Sequence, residues 1–418
     1  MLDRKPRVGV FGLGRGSAYA KLAKAAGIEI VAACDKDISK FANIKSIVEP
    51  GATFYTDFDK FIEHDMDAVI LCNYFNNHTP FVIKAMKAGK DVLSETQAAS
   101  NLKECVELCE IVEQTGRKYM LAENYPFMKG SAEMTRVYRS GILGDVVFAE
   151  GEYVHPISPD EQLKLSPGEN HWRMHNPRIY YLTHSLAPIM MATDVMPVRV
   201  NAETVYLKDD AFETWDKIEH KPTVECAGMM LLQMSNGSVF RISGSNNLAP
   251  HGNWYRLACS NGSIETVRGD IGKVMIDFGT WDLPVGVTES HQCYDAHWAE
   301  LNDVAEKAGH GGGDFWVMYN FMKYLRYDEK PYFDVYNSVM LSSTAIMAYR
   351  SALAEGMPFD IPDFRNKEIR DQYRNDTFVP FPDYVTGEGK TLPSNAHQFI
   401  FEKDLAEREA TKTEGGAQ

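Results

Sequence analysis

Over the first 125 residues short apolar runs alternate with longer stretches of helical spacing, the rhythm of a parallel sheet wrapped by helices. Val8 to Gly12 reads as a first strand and Ser17 to Ala26 as a first helix. Ile28 to Cys34, Ala68 to Cys72 and Asp91 to Ser94 are further apolar runs, with helices near Phe81 to Ala88 and Leu102 to Thr115. Tyr119 to Ala122 closes the series as another buried strand. From about Val146 the runs lengthen and alternate in polarity, as in VVFAEGEYVH, VECAGMMLLQM, GSVFRISGS and WYRLACSNGSIETVRG. Asn-Gly at 236–237 and at 261–262 separates apolar strands, a hairpin signal. These segments predict a large, mainly antiparallel open sheet with one face left to water or to a partner. A late helix, roughly Tyr336 to Glu355, has Val339, Ile346 and Met347 on one face and is predicted to return beside the first domain. The pattern divides the chain into domains at 1–125 and 126–402, with a charged tail at 403–418 expected to be mobile.

Length and composition narrow the class. At 418 residues the chain has room for two domains, three at most. Its 44% hydrophobic and 24% charged residues, without low-complexity tracts, exclude bulk disorder. With 43 basic against 58 acidic residues the net charge is −15, and no run of Lys or Arg offers a stripe to phosphates, which argues against nucleic-acid binding. A membrane span needs about 20 apolar residues, and the most apolar stretch, around Met229 to Leu232, is far shorter. The seven cysteines include no Cys-x-x-Cys and read as reduced core thiols. Cys105 and Cys109 stand four apart on a predicted helix, but no His or Cys continues a metal pattern. MLDRKPR precedes the first strand without resembling a signal peptide, so a cytoplasmic location is expected.

The segment from Val8 to Ser17 places Gly12 and Gly14 where a strand turns into a helix, so that the backbone can approach a pyrophosphate at the helix N-terminus. A third glycine is expected at position 17, where Ser17 stands with Gly16 before it. Asp35 ends the second apolar run, 21 residues after Gly14, where a carboxylate accepts hydrogen bonds from a ribose 2′-hydroxyl and repels a 2′-phosphate. NAD is favoured over NADP, although the neighbouring Lys36 softens that preference.

Read through DAVILCNYFNNHTPFVIKAMKAGKDVLSE to Glu95 and on to the sheet that follows Leu143-Gly-Asp145, nearly the whole chain resembles the Gfo/Idh/MocA oxidoreductase family. The resemblance implies a Rossmann dinucleotide-binding domain of α/β class joined to an α+β domain with an open antiparallel sheet that binds a sugar. It places Asn73 and His78 beside the nicotinamide and Glu95 near its ribose. Arg15, Gly16, Ser17, Asn76, Thr96, Gln97 and Asn124 complete the expected cofactor set. Most dehydrogenases of that family follow the glutamate with Lys-Pro, the Lys acting as acid and base, whereas here Glu95 is followed by Thr96-Gln97. The branch that also lacks the lysine is glycoside hydrolase family 109, the NAD-dependent retaining glycosidases. Glu123 in AEN, Tyr153 in GEYVH, Tyr181 and His184 in YLTHSLAP, Tyr255 in NWYRL and the segment Gly309 to Phe315 are similar to that branch in order. Tyr181 and His184 stand three apart before an expected stop at Pro188.

What the resemblance implies is hydrolysis through transient oxidation of a sugar carbon, usually C3, then elimination of the group on C1, water addition and re-reduction. No pair of carboxylates flanking the glycosidic bond is needed, unlike in ordinary glycosidases. His184 is expected to take the hydroxyl proton with Tyr181 assisting, Tyr153 to act on the C2 proton and Glu123 to hold the sugar, with the roles among them open. Tyr255, His155, Trp172 and Arg173 are expected at the substrate. Trp172 and Arg173 read either as a wall of the sugar site or as a structural loop. His171 and His175 stand four apart, but Pro177 follows and no acidic third ligand is evident, so no metal is expected.

Two other functions compete. One is a sugar or glycoside dehydrogenase with net NADH formation, and the other is a non-catalytic sensor of sugar or dinucleotide. A carbohydrate or glycoside is the expected partner in either enzyme reading. The open sheet face further predicts a homodimer or homotetramer.

Overall fold

The apolar runs of the first third are buried on both faces, which is what a parallel sheet between two helical layers requires. In the computed structural model, which describes residues 2–166, 168–205, 225–246, 250–383 and 386–388, they form one sheet with its helices. In chain order these are β1 (Arg7–Phe11), α1 (Gly16–Ala26), β2 (Glu29–Cys34), β3 (Thr53–Tyr55), α2 (Phe58–Ile62), β4 (Ala68–Leu71), α3 (Thr79–Lys87), β5 (Asp91–Ser94), α4 (Leu102–Thr115) and β6 (Tyr119–Leu121). All pairs are parallel and the order is β3-β2-β1-β4-β5-β6, so the direction of winding reverses between β1 and β4. That is the Rossmann arrangement, whose ligands lie at the carboxyl ends of the strands beside the reversal. Local signals set the helices: Asn101 caps α4 by accepting from the Glu104 N–H, and Gly116, at φ 62°, ends it in the left-handed region.

The second part comprises α5 (Lys129–Arg139), β7 (Val146–Val154), α6 (Pro159–Leu165), α7 (Thr183–Thr193), β8 (Pro197–Val205), β9 (Ala227–Met234), β10 (Val239–Ser245), β11 (Gly252–Cys259), β12 (Gly262–Val267), β13 (Asp270–Phe278) and β14 (His291–Asp295). It continues with α8 (Asn302–Ala305), α9 (Gly313–Tyr327), α10 (Val335–Leu353), β15 (Phe359–Asp360) and α11 (Lys367–Tyr373). The strands form a nine-stranded sheet ordered β14-β13-β12-β11-β7-β10-β9-β8-β15. Its pairs are antiparallel except β7 with β10, and the Asn-Gly signals at 236–237 and 261–262 fall in the β9–β10 and β11–β12 hairpins. Alternation is strict along β9: Met230, Leu232 and Met234 are buried, while Met229, Leu231 and Gln233 face outward.

Helix α10, close to its predicted span, lies against β8 and α4, and Tyr336 on it donates to Glu113 Oε1 on α4 at 2.7 Å. A second return has no clear sequence signal. Helix α9 buries Phe315, Met318, Phe321 and Met322 against Tyr19, Ala20 and Ala23 of α1, so a late segment also covers the first sheet. Helix α7 is buried on every side and shows no amphipathic period. Pro188 lies inside α7 instead of ending it. The cysteines are free, but Cys293 is exposed and Cys259 half-buried, so only the other five are core thiols. The tail expected to be mobile at 403–418 lies outside the described residues. Among the described residues no helix is long and apolar enough to cross a membrane.

Candidate active site

The glycine turn after β1 is shaped by close approach. Gly12 has φ +85°, and a Cβ there would lie 2.3 Å from the Cys72 carbonyl oxygen at the end of β4. Gly14 faces open space, with nothing within 4 Å of a Cβ. The tight helix–strand packing expected of a third glycine falls to Gly16, whose Cβ would meet Val10 at 2.6 Å, while Ser17 donates its hydroxyl to Gly14 O at 2.9 Å. Asp35 accepts from Leu13 N at 2.7 Å and from Asp37 N at 2.9 Å, which locks the loop to the end of β2. The cation beside it is Lys40, at 3.3 Å, in place of the expected Lys36.

Arg15, the residue before α1, binds two segments far apart in the chain. Its Nε donates to Glu95 Oε1 at 2.7 Å, and its Nη2 donates to Asp314 Oδ1 at 2.6 Å. Asp314 also accepts from Asn124 Nδ2 at 2.7 Å and His310 Nδ1 at 3.0 Å. Burial pushes the Glu95 and Asp314 carboxyls up, but Arg15 more than offsets it and holds both below their usual range. Thr96, in the place of the family's lysine, donates both N–H and hydroxyl to Glu95 Oε2. His78 is buried with Nδ1 on Gln97 O at 2.8 Å and Nε2 on Asn73 O at 3.3 Å. Its ring therefore braces the two loops that carry Asn73 and Gln97. Asn76 sits in the short turn Phe75–Asn77.

These residues fit a dinucleotide on three observations. The space above Gly14 is open; the first turn of α1 has neither an acidic residue nor a side-chain cap; and Asn73 Oδ1 and Gln97 Oε1 are buried without a hydrogen-bond partner.

The segment Glu123-Asn124-Tyr125 after β6 joins this half of the site to the next. Asn124 holds Asp314, while both oxygens of Glu123, which is fully buried, lie 2.8 and 3.0 Å from His184 Nδ1 on α7. Around His184 stand the rings of Tyr125, Tyr153 and Tyr181, with centroids at 4.6, 5.1 and 5.5 Å. The structure thus brings Glu123, Tyr153, Tyr181 and His184 together. Burial pushes the Tyr153 phenol up to about 12, with the Arg178 charge pulling the other way.

Tyr255 was expected to contact substrate, but it is fully buried and its hydroxyl donates to His184 O at 2.9 Å. The reason is Pro188. An α-helix at residue 188 would donate its N–H to the carbonyl of residue 184, and proline has none to give. The Tyr255 hydroxyl supplies the missing donor, so this residue fixes the backbone that carries His184. Trp172 is likewise not an open wall, since Phe75 stacks on it at 4.9 Å and the Arg173 guanidinium lies 4.4 Å from its centroid. Phe75 also stacks on Tyr181 at 5.4 Å, and Arg173 Nη1 donates to the Tyr181 hydroxyl at 3.5 Å. His155 packs against Tyr153 at 5.9 Å and His251 at 4.8 Å; burial, His251 and Arg178 lower it to about 4, which keeps it neutral near pH 7. Phe75, Tyr125, Arg178, His310 and Asp314 were missed as single residues, and only the Gly309 to Phe315 segment had flagged the last two.

A Rossmann sheet with a glycine turn and a closing acid, facing a buried polar cluster on an open-sheet domain, defines a nucleotide-dependent enzyme acting on a small polar molecule. Residues 6–123 match the oxidoreductase family with NAD-binding Rossmann fold, 131–265 the Gfo/Idh/MocA C-terminal domain and 230–371 the glycosyl hydrolase 109 C-terminal domain. The chain belongs to the Gfo/Idh/MocA oxidoreductase family, with NAD as its cofactor, and resembles its family 109 branch. It is similar to a glycosyl hydrolase family 109 protein of Saccharopolyspora erythraea, 24% identical over 384 residues, covering 86% of this chain and 83% of that one. A family 109 protein of Parabacteroides distasonis is 24% identical over 398 residues, covering 81% and 82%. Among solved structures, the fold is similar to that of levoglucosan dehydrogenase in complex with NADH and L-sorbose, with TM-score 0.72, 15% identity, and coverage of 86% and 100%.

Proposed function

We propose that the protein is an NAD-dependent glycoside hydrolase in which the His184–Glu123 pair does the work of the absent lysine. The observation that carries this reading is that pair, buried beside Tyr153 and Tyr181, with Thr96 where the lysine would stand. Gly12, Gly14, Asp35, Asn73 and Glu95 would hold NAD, which would supply reversible oxidation of one sugar carbon.

The chain's own residues move the protons. A carboxylate only accepts, so His184 Nδ1–H donates to Glu123 and leaves Nε2 as the base for the sugar hydroxyl. Glu123 thereby orients the imidazole and is placed to balance its charge once protonated, as the buried acid of a Ser-His-Asp triad does. Since Tyr153 is raised to about 12, it begins protonated and serves as donor to the departing glycosidic oxygen. The C2 proton then falls to Tyr181, whose hydroxyl sits beside Arg173. Water adds at C1, and the sum is glycoside plus water giving sugar plus alcohol without net oxidation.

The test is a panel of nitrophenyl glycosides with added NAD, following nitrophenol and NADH together. Nitrophenol without accumulating NADH is expected. NADH without nitrophenol would replace the proposal with a dehydrogenase, and bound NAD with neither product from any glycoside would leave a sensor.

A further inference from the structure

The chain shows twice, once at a half-buried and once at a buried position, how it accommodates a guanidinium drawn away from water. Arg15 is paired with Glu95 and Asp314, and Arg370, 2% exposed, is held by both oxygens of Glu113 at 2.9 and 2.6 Å. Arg178 breaks the rule. It is 5% exposed, in the turn Arg178–Tyr181, and its one hydrogen bond among the described residues runs from Nη2 to Tyr153 O at 3.3 Å. Nε is buried without a partner, and no described carboxylate pairs with the group. What it touches is the candidate site itself: its guanidinium carbon lies 4.9 Å from the Tyr153 ring centroid and 5.6 Å from that of Tyr181.

Nor do its neighbours supply the missing charge. Arg173 brings a second guanidinium whose Nε is also buried and unpartnered, and whose Nη1 reaches Tyr181. Glu123 is already engaged by His184. Burial lowers the Arg178 pKa from its ordinary value, and Arg173 adds to that effect. Leaving a buried cation unpaired is strongly unfavourable, so a fold keeps one where the counter-charge arrives from outside.

We propose that the site takes an acidic glycoside, one whose sugar carries a carboxylate or sulfate, and that Arg178, supported by Arg173, receives that anionic group. The inference rests on the glycoside site proposed above and names its substrate class. The protein's net charge of −15 gives no general attraction for anions, so any preference for them must come from such a local pair.

The test is binding, so that it stands apart from turnover. Calorimetric titrations of the NAD-loaded protein would compare methyl glucosides, galactosides and mannosides with their uronides and 6-sulfates, at 0.1 and about 0.5 M salt. At least one acidic member is expected to bind about tenfold or more tightly than its neutral counterpart, the scale of one charge-assisted pair, and to keep that lead in high salt. The uronide and sulfate arms identify which anion is used. Arg178→Met should erase the preference, and Arg178→Lys should restore only part of it, with NAD affinity serving as the check that both variants fold. Neutral members binding as well as acidic ones, no acidic member binding, or a preference that survives Arg178→Met would each overturn the proposal. Acidic preference without hydrolysis would count against the reaction and leave this inference standing; hydrolysis of neutral glycosides without acidic preference would do the reverse.

Discussion

Replacing Glu123 with Gln removes one charge from a fully buried position while keeping its shape. The carboxylate holds His184 Nδ1 at 2.8 and 3.0 Å and also lies 3.5 Å from Tyr125 N. Loss of a charge-assisted hydrogen bond is worth about 1.5 to 3 kcal/mol, roughly 10- to 150-fold in rate if all of it is expressed in the transition state. A larger effect comes from the amide's NH₂ group. If it turns toward Nδ1, the ring proton must move to Nε2, and the base is lost. In an orienting carboxylate of this kind the equivalent change costs about 10⁴-fold. The expected fall in kcat for Glu123→Gln is therefore about 10²- to 10⁴-fold, with NAD affinity unchanged, because Asn124 and Asp314 hold the cofactor half separately. Steady-state kinetics on the best glycoside of the panel, with NAD titrated by fluorescence, would measure both. A kcat within about threefold of the parent would refute the pairing as the source of the base, since the structure offers His184 Nδ1 no second acceptor among the described residues.

Three further outcomes follow from particular contacts. Tyr255→Phe leaves the His184 carbonyl without a donor, so kcat should fall about tenfold and stability by about 1 to 3 kcal/mol with KM nearly constant; a rise in KM alone would restore the substrate contact first expected for Tyr255. Glu113 is lowered to about 2, chiefly by its hydrogen bond with Arg370 and against the push of burial, and so contributes stability that is present above its ordinary value near 4.5 and lost as pH falls toward 2. Urea midpoints at pH 6, 4.5 and 3 should drop across that window, and Glu113→Gln should flatten the drop; an unchanged slope would contradict the assignment. The outward face carrying Met229, Leu231, Val239 and Val205 is predicted to join copies of the chain, so light scattering should give a dimer or tetramer and Leu231→Glu a smaller species, whereas a monomeric parent protein would refute it.

How far the sequence could be read depended on the distance over which each feature is decided. Five of the six parallel strands, α4 and the two Asn-Gly hairpins are local: period, caps and turn residues lie within a few positions of one another, and the spans agree within one or two residues, whereas the three-residue β3 is too short to show a period and had no counterpart. Helix α7 was illegible because burial on every side erases the period that identifies a helix, and Pro188 reads as a stop until Tyr255, far along the chain, is seen to serve its orphaned carbonyl. The Arg15–Asp314 contact spans 299 positions and joins two segments that each looked like a loop on its own. Tyr255 and Trp172 show the opposite error. Both types suit a sugar site, and Tyr255 also matched the family 109 branch in order, yet the Tyr255 hydroxyl and the Trp172 ring are used inside the protein. Arg178 is the extreme case. Every positive signal in sequence reading marks a residue by what accompanies it, whereas this one is marked by the carboxylate that is missing around a buried charge, and only side-chain geometry can show such a vacancy. The residues proposed to carry proton chemistry were thus legible by type and order, while the group proposed to select the substrate's charge was not.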